Sequence, residues 1–281
     1  MEVKQKITEI KKHYENWQVV SVIDPKIHDG NAIISLCCNC EGTLFLTTSK
    51  NNVIYLFDQL GNVIDEVEGV SGNTFVDPRF LSCAKDYFVV ADVEKGCLFK
   101  IESQSHICRA VVNVYPSLKN TKGFSAVTID HEDNVYAVEK KGTQSVIYMF
   151  DDMLKQKTVF EYNCSLDSWV SGIFTTQAQS FPIILVHEAA KLAKLTKGES
   201  EILCDFQPFY PHLGVLHNGF FFITVAGEPN VTFLKISLNG DLVYSYENPL
   251  ISSPAAICCY DNKLFIVSRN QSKIFVLSQK V

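Results

Sequence analysis

Short β-rich segments recur along this chain at a spacing of roughly 40 to 48 residues, and this repetition constrains the fold more than any other feature. The clearest unit, residues 31–69, contains four alternating segments divided by turn residues. These segments lie near 32–38, 43–48, 53–57 and 63–67. The same pattern returns over residues 80–113, 124–162, 170–206, 213–247 and 255–281. Apolar and polar residues that alternate are typical of half-buried strands, so the repeat predicts an all-β chain of four-stranded units.

The last unit is one strand short. Residues 273–277 match a third strand and no fourth strand follows them, whereas residues 18–23 form an unmatched strand before the first full unit. If residues 18–23 dock beside 273–277, the sixth unit is complete and no open sheet edge is left to template aggregation. The sequence therefore predicts a six-bladed β-propeller over residues 18–281. Its blades are four-stranded and antiparallel, and the N-terminal strand completes the last blade.

Residues 1–17 have a different pattern. Ile7, Ile10, Tyr14 and Trp17 are spaced by 3, 4 and 3 residues among lysines and glutamates. This spacing fits one face of a helix or two heptads of a coiled coil. We interpret residues 1–17 as a short helical or coiled-coil lead-in. Two interpretations of this segment fit the spacing. It is either a short helix that packs on the propeller or the end of a coiled-coil stalk.

Composition and charge restrict the partners. The formal net charge is −6 and the pI is about 5.7, so the long-range field opposes polyanions. DNA is therefore not an expected partner, and RNA binding would need a local basic patch. No apolar run approaches the roughly 20 residues of a membrane span, so we expect no membrane partner. The N-terminus lacks the apolar region of a signal peptide, which predicts a cytoplasmic protein.

The ten cysteines raise the question of a metal or redox site. Cys37, Cys38 and Cys40 form a C-C-x-C run, Cys258 and Cys259 are adjacent, and the other five are isolated. Most of them lie in apolar alternating runs, where a thiol behaves as a small hydrophobic group. We therefore predict reduced structural cysteines, with no metal and no cofactor; a metal or redox site is the alternative.

Several units resemble NHL repeats, which combine a proline-led inner strand, an aromatic-containing second strand and a third strand ending in aspartate. The matching segments are 41–46, 52–58 with Gly61, 133–138, and 253–257 followed by 262–270. The aspartate usual at the end of the second strand is Asp92 in the second unit. Other polar residues stand in for it elsewhere: Thr48, Glu139, His187 and Ser268. The resemblance extends to the C-terminal domain of tripartite-motif proteins.

Propeller ligands bind at the mouth of the central channel, on the face built by two sets of loops. One set joins second to third strands, and the other crosses between blades. Basic and aromatic residues predicted on this face are the candidate partner-binding residues. They are Lys50, Arg79, Lys95, Tyr115, Lys119, Lys122, Phe124, Lys140, Lys141, Trp169, Tyr210, His212 and Arg269. Exposed aromatic residues are favoured anchors for a protein partner, but aromatic residues at these crossings also wedge between neighbouring blades.

The propeller architecture and the lack of a recognisable catalytic motif predict a non-catalytic binding module that recognises a protein or peptide. The resemblance to tripartite-motif proteins implies that it could be the substrate-recognition domain of a ubiquitin ligase. RNA binding through the basic loops is the first alternative. The second is a metal-dependent lactonase or esterase similar to gluconolactonases, which needs oxygen ligands converging from several inner strands. The inner strands here are mainly apolar, so such ligands would have to come from loop residues Asn52, Glu94, Glu139 and Glu228. We identify no catalytic residue.

Overall fold

A computed structural model describes residues 17–26, 31–114, 123–165, 168–176, 179–196, 199–207, 209–226 and 231–279. These residues form six four-stranded antiparallel sheets and one small two-stranded sheet. The six sheets are the blades of a propeller, as the repeat predicts. Within the described ranges, no helix has the length and apolar character needed to cross a membrane.

In each of the first three blades, consecutive strands run outward from the centre of the ring. Blade 1 contains β2 (Ile33–Cys38), β3 (Leu44–Thr48), β4 (Ile54–Phe57) and β5 (Val63–Val67). A short hairpin, β6 (Gly69–Val70) and β7 (Asn73–Thr74), crosses to the next blade. Blade 2 contains β8 (Pro78–Cys83), β9 (Tyr87–Asp92), β10 (Cys97–Glu102) and β11 (Cys108–Asn113). Blade 3 contains β12 (Phe124–Ile129), β13 (Val135–Lys141), β14 (Gln144–Phe150) and β15 (Gln156–Asn163).

Blades 4 and 5 repeat this order, and blade 6 takes its outer strand from the other end of the chain. Blade 4 contains β16 (Val170–Thr176), β17 (Gln179–Val186), β18 (Lys191–Leu195) and β19 (Ser200–Asp205). Blade 5 contains β20 (Tyr210–His217), β21 (Phe220–Ala226), β22 (Val231–Ser237) and β23 (Leu242–Glu247). Blade 6 contains β24 (Pro254–Tyr260), β25 (Lys263–Ser268), β26 (Lys273–Gln279) and β1 (Trp17–Ile23).

The pairing of β1 with β26 closes the ring. The two strands are antiparallel, with Trp17 opposite Gln279 and Ile23 opposite Ile274. The indole Nε1 of Trp17 also donates a hydrogen bond of 2.6 Å to the hydroxyl of Tyr244 on β23. The predicted closure by the N-terminal strand is therefore confirmed. Trp17 belongs to this strand and not to a helical lead-in, and residues 1–16 lie outside the described residues.

The hydrophobic core lies between the blades. Six clusters of buried apolar side chains each join two neighbouring blades around the ring. Between blades 1 and 2, for example, the rings of Phe45 and Phe88 are 4.9 Å apart. The second and third strands of a blade are covered on both faces by this packing, which is why β9 is buried along its whole length. Each blade therefore depends on both neighbours for its stability.

Aspartates at the outer hairpins determine where these turns form. Asp58 accepts backbone N–H bonds from Leu60 and Asn62 at 2.9 and 2.8 Å, while Gly61 has a φ of 90°. Asp151 accepts equivalent bonds from Met153 and Lys155 in blade 3. Such side-chain bonds replace backbone partners in a tight turn. Asp58 and Asp151, on the face opposite the predicted binding loops, thus stabilise the turns in which they lie.

The inner strands β2, β8, β12, β16, β20 and β24 surround a central channel with a cavity volume of about 290 Å³. Serine, threonine, cysteine and small apolar side chains make up most of its wall. The strands begin at the face where the crossings and the second-to-third-strand loops meet. We call this face the loop face, and the other the opposite face.

Candidate functional site

At the loop-face end of the second strand, five blades carry a buried polar residue that ends the strand, follows it directly or, for Glu139 in β13, lies two residues before its end. These residues are Thr48, Asp92, Glu139, His187 and Ser268. In blade 2 the carboxylate of Asp92 accepts backbone N–H bonds from Val76, Asp77 and Lys95. In blade 6 the hydroxyl of Ser268 donates to the carbonyl of Ser252 at 2.6 Å. In blades 2 and 6 this polar group therefore holds the crossing that enters the same blade.

In blade 4 the same position carries His187, which lies at the centre of an aromatic group. Its ring centroid is 4.4 Å from that of Trp169, 4.8 Å from that of His212 and 6.4 Å from that of Tyr210. The His187 and His212 rings are stacked, with an interplanar angle of 21°. We call Trp169, His187, Tyr210 and His212 the aromatic–histidine cluster. It joins blades 4 and 5 at the loop face.

Hydrogen bonding fixes the central histidine. The Nδ1 of His187 is bonded to the carbonyl oxygen of Pro211, and because a carbonyl only accepts, Nδ1 must carry the proton. The other ring nitrogen, Nε2, lies 3.6 Å from a carboxylate oxygen of Glu188. His187 is 7% exposed, so it supports the cluster from beneath.

His212 is held in its neutral form. Burial lowers the pKa of its imidazole to about 4, with further contributions from the neighbouring His187 and Arg269. Burial lowers a histidine pKa because the charged form loses its hydration, and nearby positive groups act in the same direction. At physiological pH the imidazole of His212 is therefore uncharged, with the exposed Arg269 close to it.

The outer members of the cluster are accessible. The side chain of Tyr210 is 45% exposed, and Trp169 and His212 are half-buried. Rigid aromatic side chains that are partly packed and partly exposed lose little conformational entropy when they bind a partner. Three of the sequence-predicted residues, Trp169, Tyr210 and His212, thus come together on one part of the loop face.

His187 is a member of the cluster that sequence reasoning did not select. The sequence indicated only that it replaces the aspartate at the end of a second strand. Histidine at that position, together with Trp169 in the crossing before and Tyr210 in the crossing after, is the signal that could have identified it.

Lys140, a candidate binding residue, is not on the surface. It is 3% exposed, and its ammonium donates to the carbonyls of Ser165, at 3.0 Å, and Ser168. Its Nζ also lies 3.1 Å from the sulfur of Cys164. The sequence predicts this lysine among the binding residues of the loop face; the structure places it in β13, where it holds the next crossing.

Lys141, its neighbour, is partly engaged. Its ammonium is 2.9 Å from the carboxylate of the fully buried Glu139, and it donates to the hydroxyl of Tyr148 at 2.8 Å. The Lys141 side chain is 42% exposed. One face of the ammonium is therefore committed to neutralising a buried carboxylate.

Phe124 is also buried rather than available to a partner. It is 3% exposed and belongs to the hydrophobic cluster between blades 2 and 3. This corresponds to the alternative in which crossing aromatics wedge between blades.

The other basic candidates are spread over the loop face. Arg79 forms an ion pair of 2.8 Å with Asp77, and the ammonium of Lys95 donates to the carbonyl of Thr74. Lys50 and Arg269 are exposed. Three further candidates, Tyr115, Lys119 and Lys122, lie outside the described residues.

Among the residues placed by the structure, no group of three or more histidine, cysteine, aspartate or glutamate side chains is arranged to hold a metal ion. Glu139, a loop candidate for such a site, bonds instead to Tyr148 at 2.7 Å and to Lys141. Glu228, another candidate, lies outside the described residues.

Comparison with known proteins identifies the class of this molecule through its fold. No family model matches the sequence, and no curated protein matches it. Among solved structures, a catalytically inactive virginiamycin B lyase from Staphylococcus aureus with quinupristin is similar at a TM-score of 0.67 and 13% identity, over 94% of this chain and 100% of that chain. A luciferin-regenerating enzyme is similar at a TM-score of 0.65 and 12% identity, over 93% and 94%.

The Swd1 β-propeller domain from Myceliophteria thermophila is similar at a TM-score of 0.60 and 10% identity, over 94% and 100% of the two chains. At these identities the likeness concerns the fold alone. The chain is a six-bladed β-propeller, and the proteins that share its fold differ in what they do.

Proposed function

We propose that this propeller is a binding module that recognises a protein or peptide through the loop face, with the aromatic–histidine cluster as its anchor. The carrying observation is the arrangement of Trp169 and Tyr210 around the stacked pair His187 and His212. A side chain of the partner would pack against the exposed edge of Tyr210 and the half-buried ring of Trp169.

The aromatic–histidine cluster is already ordered in the unbound protein. His187 is bonded to Pro211, stacked on His212 and packed at a tilt against Trp169, so the support beneath Trp169 and Tyr210 already exists in the unbound protein. A preformed aromatic surface costs little entropy on association, and aromatic residues dominate the energetics of protein interfaces. Because His212 is neutral at physiological pH, the centre of the surface can be desolvated without burying a charge.

The test uses a displayed library of random peptides as the probe, with the immobilised full-length chain as the target. Selected peptides are synthesised, and their affinities are measured by fluorescence polarisation for the wild type, Trp169→Ala and Tyr210→Ala. We expect each truncation to cost about 2 kcal/mol or more, which corresponds to roughly a thirtyfold increase in Kd.

The matched control is Leu60→Ala. Leu60 is an apolar residue that is 84% exposed at a turn of the opposite face, so its truncation should leave the affinity unchanged. Selected peptides that bind Trp169→Ala and Tyr210→Ala as tightly as the wild type would show that the anchor is elsewhere. All variants are first compared by thermal unfolding, so that a loss of binding is not confused with a loss of fold.

The finer proposal is that the propeller is NHL-like and selects substrates for a ubiquitin ligase in the cytoplasm. It is supported by the sequence resemblance. A test is to fuse the chain to a RING-type ligase domain and measure ubiquitination of a carrier protein that displays a selected peptide. Modification that depends on Tyr210 supports the role, and equal modification by the Tyr210→Ala fusion contradicts it.

A further inference from the structure

The inner strands of blades 1 and 2 bring two cysteines into contact at the end of the channel nearer the opposite face. The sulfur atoms of Cys37, on β2, and Cys83, on β8, are 2.7 Å apart. A disulfide has an S–S length of about 2.05 Å. The two sulfurs are therefore within a small side-chain movement of bonding distance.

The backbone holds this pair in register. Ser35 lies two residues before Cys37, and Leu81 lies two residues before Cys83. The backbone N–H of Leu81 donates to the hydroxyl of Ser35 at 3.3 Å. Near the loop face, the hydroxyl of Thr47 donates to the carbonyl of Arg79 at 2.6 Å. These bonds cross from blade 1 to blade 2, so the approach of the two sulfurs follows from the packing of the blades.

A small oxidant can reach the pair. Cys37 and Cys83 both line the central channel, whose volume is about 290 Å³. Hydrogen peroxide is only slightly larger than water and fits such a space.

We propose that Cys37 and Cys83 form a reversible disulfide between blades 1 and 2 when the protein is exposed to hydrogen peroxide. One thiol releases its proton, and the thiolate attacks a peroxide oxygen; the O–O bond breaks to give a sulfenic acid, and the hydroxide that leaves takes up the released proton as water. The sulfur of the second cysteine then attacks the sulfenic sulfur and releases a second water. The two thiols lose two electrons in total, and one peroxide is reduced to two waters.

Burial sets the rate of this reaction. It raises the pKa of Cys37 well above its usual range, with a further contribution from its hydrogen bond to Cys83, and it raises the pKa of Cys83 as well. Since the thiolate is the nucleophile, oxidation is slow at neutral pH and becomes faster as the pH rises. A reductant reverses it by thiol–disulfide exchange after the chain opens locally.

The experiment uses the full-length chain with Cys40→Ser, because Cys40 is the only exposed cysteine and would form intermolecular disulfides. The reduced protein is treated with hydrogen peroxide, quenched with catalase and alkylated before digestion with trypsin. Cleavage places Cys37 in the peptide 27–50 and Cys83 in the peptide 80–85. We expect a disulfide-linked species of these two peptides, which a reductant separates into its two parts. Its yield after a fixed reaction time should increase with pH.

Fragmentation of the cross-linked species distinguishes Cys37 from the adjacent Cys38 without any further variant. Cys37→Ala and, separately, Cys83→Ala should abolish the link, and Cys259→Ala should retain it. Circular dichroism of the reduced variants establishes that each one folds. A wild-type sample in which peptides 27–50 and 80–85 remain unlinked overturns the proposal, as does a link from 27–50 to the peptide 236–263 in its place.

Discussion

At the scale of single residues, the two adjacent lysines of blade 3 differ in their exposure to solvent. Lys140 points into the crossing before blade 4 and donates to Ser165 and Ser168. Lys141 is partly exposed and neutralises Glu139. Neither ammonium is available as an unengaged phosphate contact, although the sequence shows two neighbouring lysines near a loop.

Replacing Lys140 with methionine keeps most of the aliphatic stem and removes the ammonium. The carbonyls of Ser165 and Ser168 then lose a buried donor, which costs about 1–3 kcal/mol. We expect a lower midpoint in urea unfolding for Lys140→Met. Lys50→Met, at an exposed position on the same face, is the matched control and should stay within about 0.5 kcal/mol of the wild type. Equal midpoints for Lys140→Met and the wild type would contradict the buried role.

His212 makes stability depend on pH. Its pKa is about 4 in the folded protein, below the value of about 6.5 for an unfolded histidine. Between these values the unfolded chain binds a proton that the folded chain does not, so this contribution to stability is lost as the pH falls from about 6.5 toward 4. His212→Gln should therefore lose less stability than the wild type when the pH is lowered from 7.5 to 5.

The measurement is thermal unfolding of both chains at the two pH values. At pH 7.5 both side chains are neutral, so any difference there reports packing alone. The additional difference at pH 5 reports the proton. If the two chains lose the same stability on acidification, the imidazole of His212 is not protected in the fold.

The residues of the candidate site show what alternation along a strand can and cannot predict. Trp169 directly precedes the inner strand β16, and Tyr210 and His212 lie at the start of the inner strand β20. The repeat alone brings such positions to one face. Lys140 and Phe124 could not be placed in this way. Packing of a blade between two neighbours buries both faces of its second and third strands, and this burial reaches Lys140 near the end of β13. Phe124, at the start of the inner strand β12, is buried in the cluster between blades 2 and 3.

At the scale of elements, β1 is the strand on which closure depends. It covers the edge of β26, buries Ile23 at 2% exposure and anchors Trp17 to Tyr244. Without it, β26 would present a row of unpaired backbone groups at the rim of blade 6.

Deletion of residues 1–23 should therefore lower the thermal unfolding midpoint strongly or cause aggregation, measured by calorimetry and light scattering. A deletion of residues 1–16, which leaves β1 in place, separates the contribution of this strand from that of the preceding segment. Unchanged unfolding of the longer deletion would mean that β1 does not stabilise the ring.

The strands could be predicted from the sequence because each one is long enough to show alternation and is bounded by turn residues. The hairpin of β6 and β7 was not predicted. Each of its strands has two residues, too few for a period, and its turn contains Ser71 at a φ of 51° beside Gly72. The pairing of β6 with β7 arises only when the crossing folds, and no sequence pattern marks it.

At the scale of the whole molecule, charge argues against RNA as the ligand. The net charge is −6, and Lys95, Lys140 and Lys141 are each bonded to groups of the protein itself. Phosphate contacts gain affinity mainly by releasing counterions from the nucleic acid, and they need unengaged cations.

We expect no binding of single-stranded RNA tighter than about micromolar at physiological salt. The measurement is fluorescence anisotropy of a short labelled RNA over a series of salt concentrations. Lys50→Glu and Arg269→Glu reverse two exposed charges of the loop face and serve as the comparison. Nanomolar, salt-sensitive binding that these reversals abolish would establish RNA as the ligand.

The pairing of β1 with β26 also affects how the chain is made. Of the described strands, β1 leaves the ribosome first and its partner leaves last. Until β26 has been synthesised, β1 has no sheet to join, and its valines remain open to chaperones and proteases while the other blades form one by one. The time needed to synthesise the chain from β1 to β26 therefore sets the earliest moment at which a newly made propeller is protected from degradation.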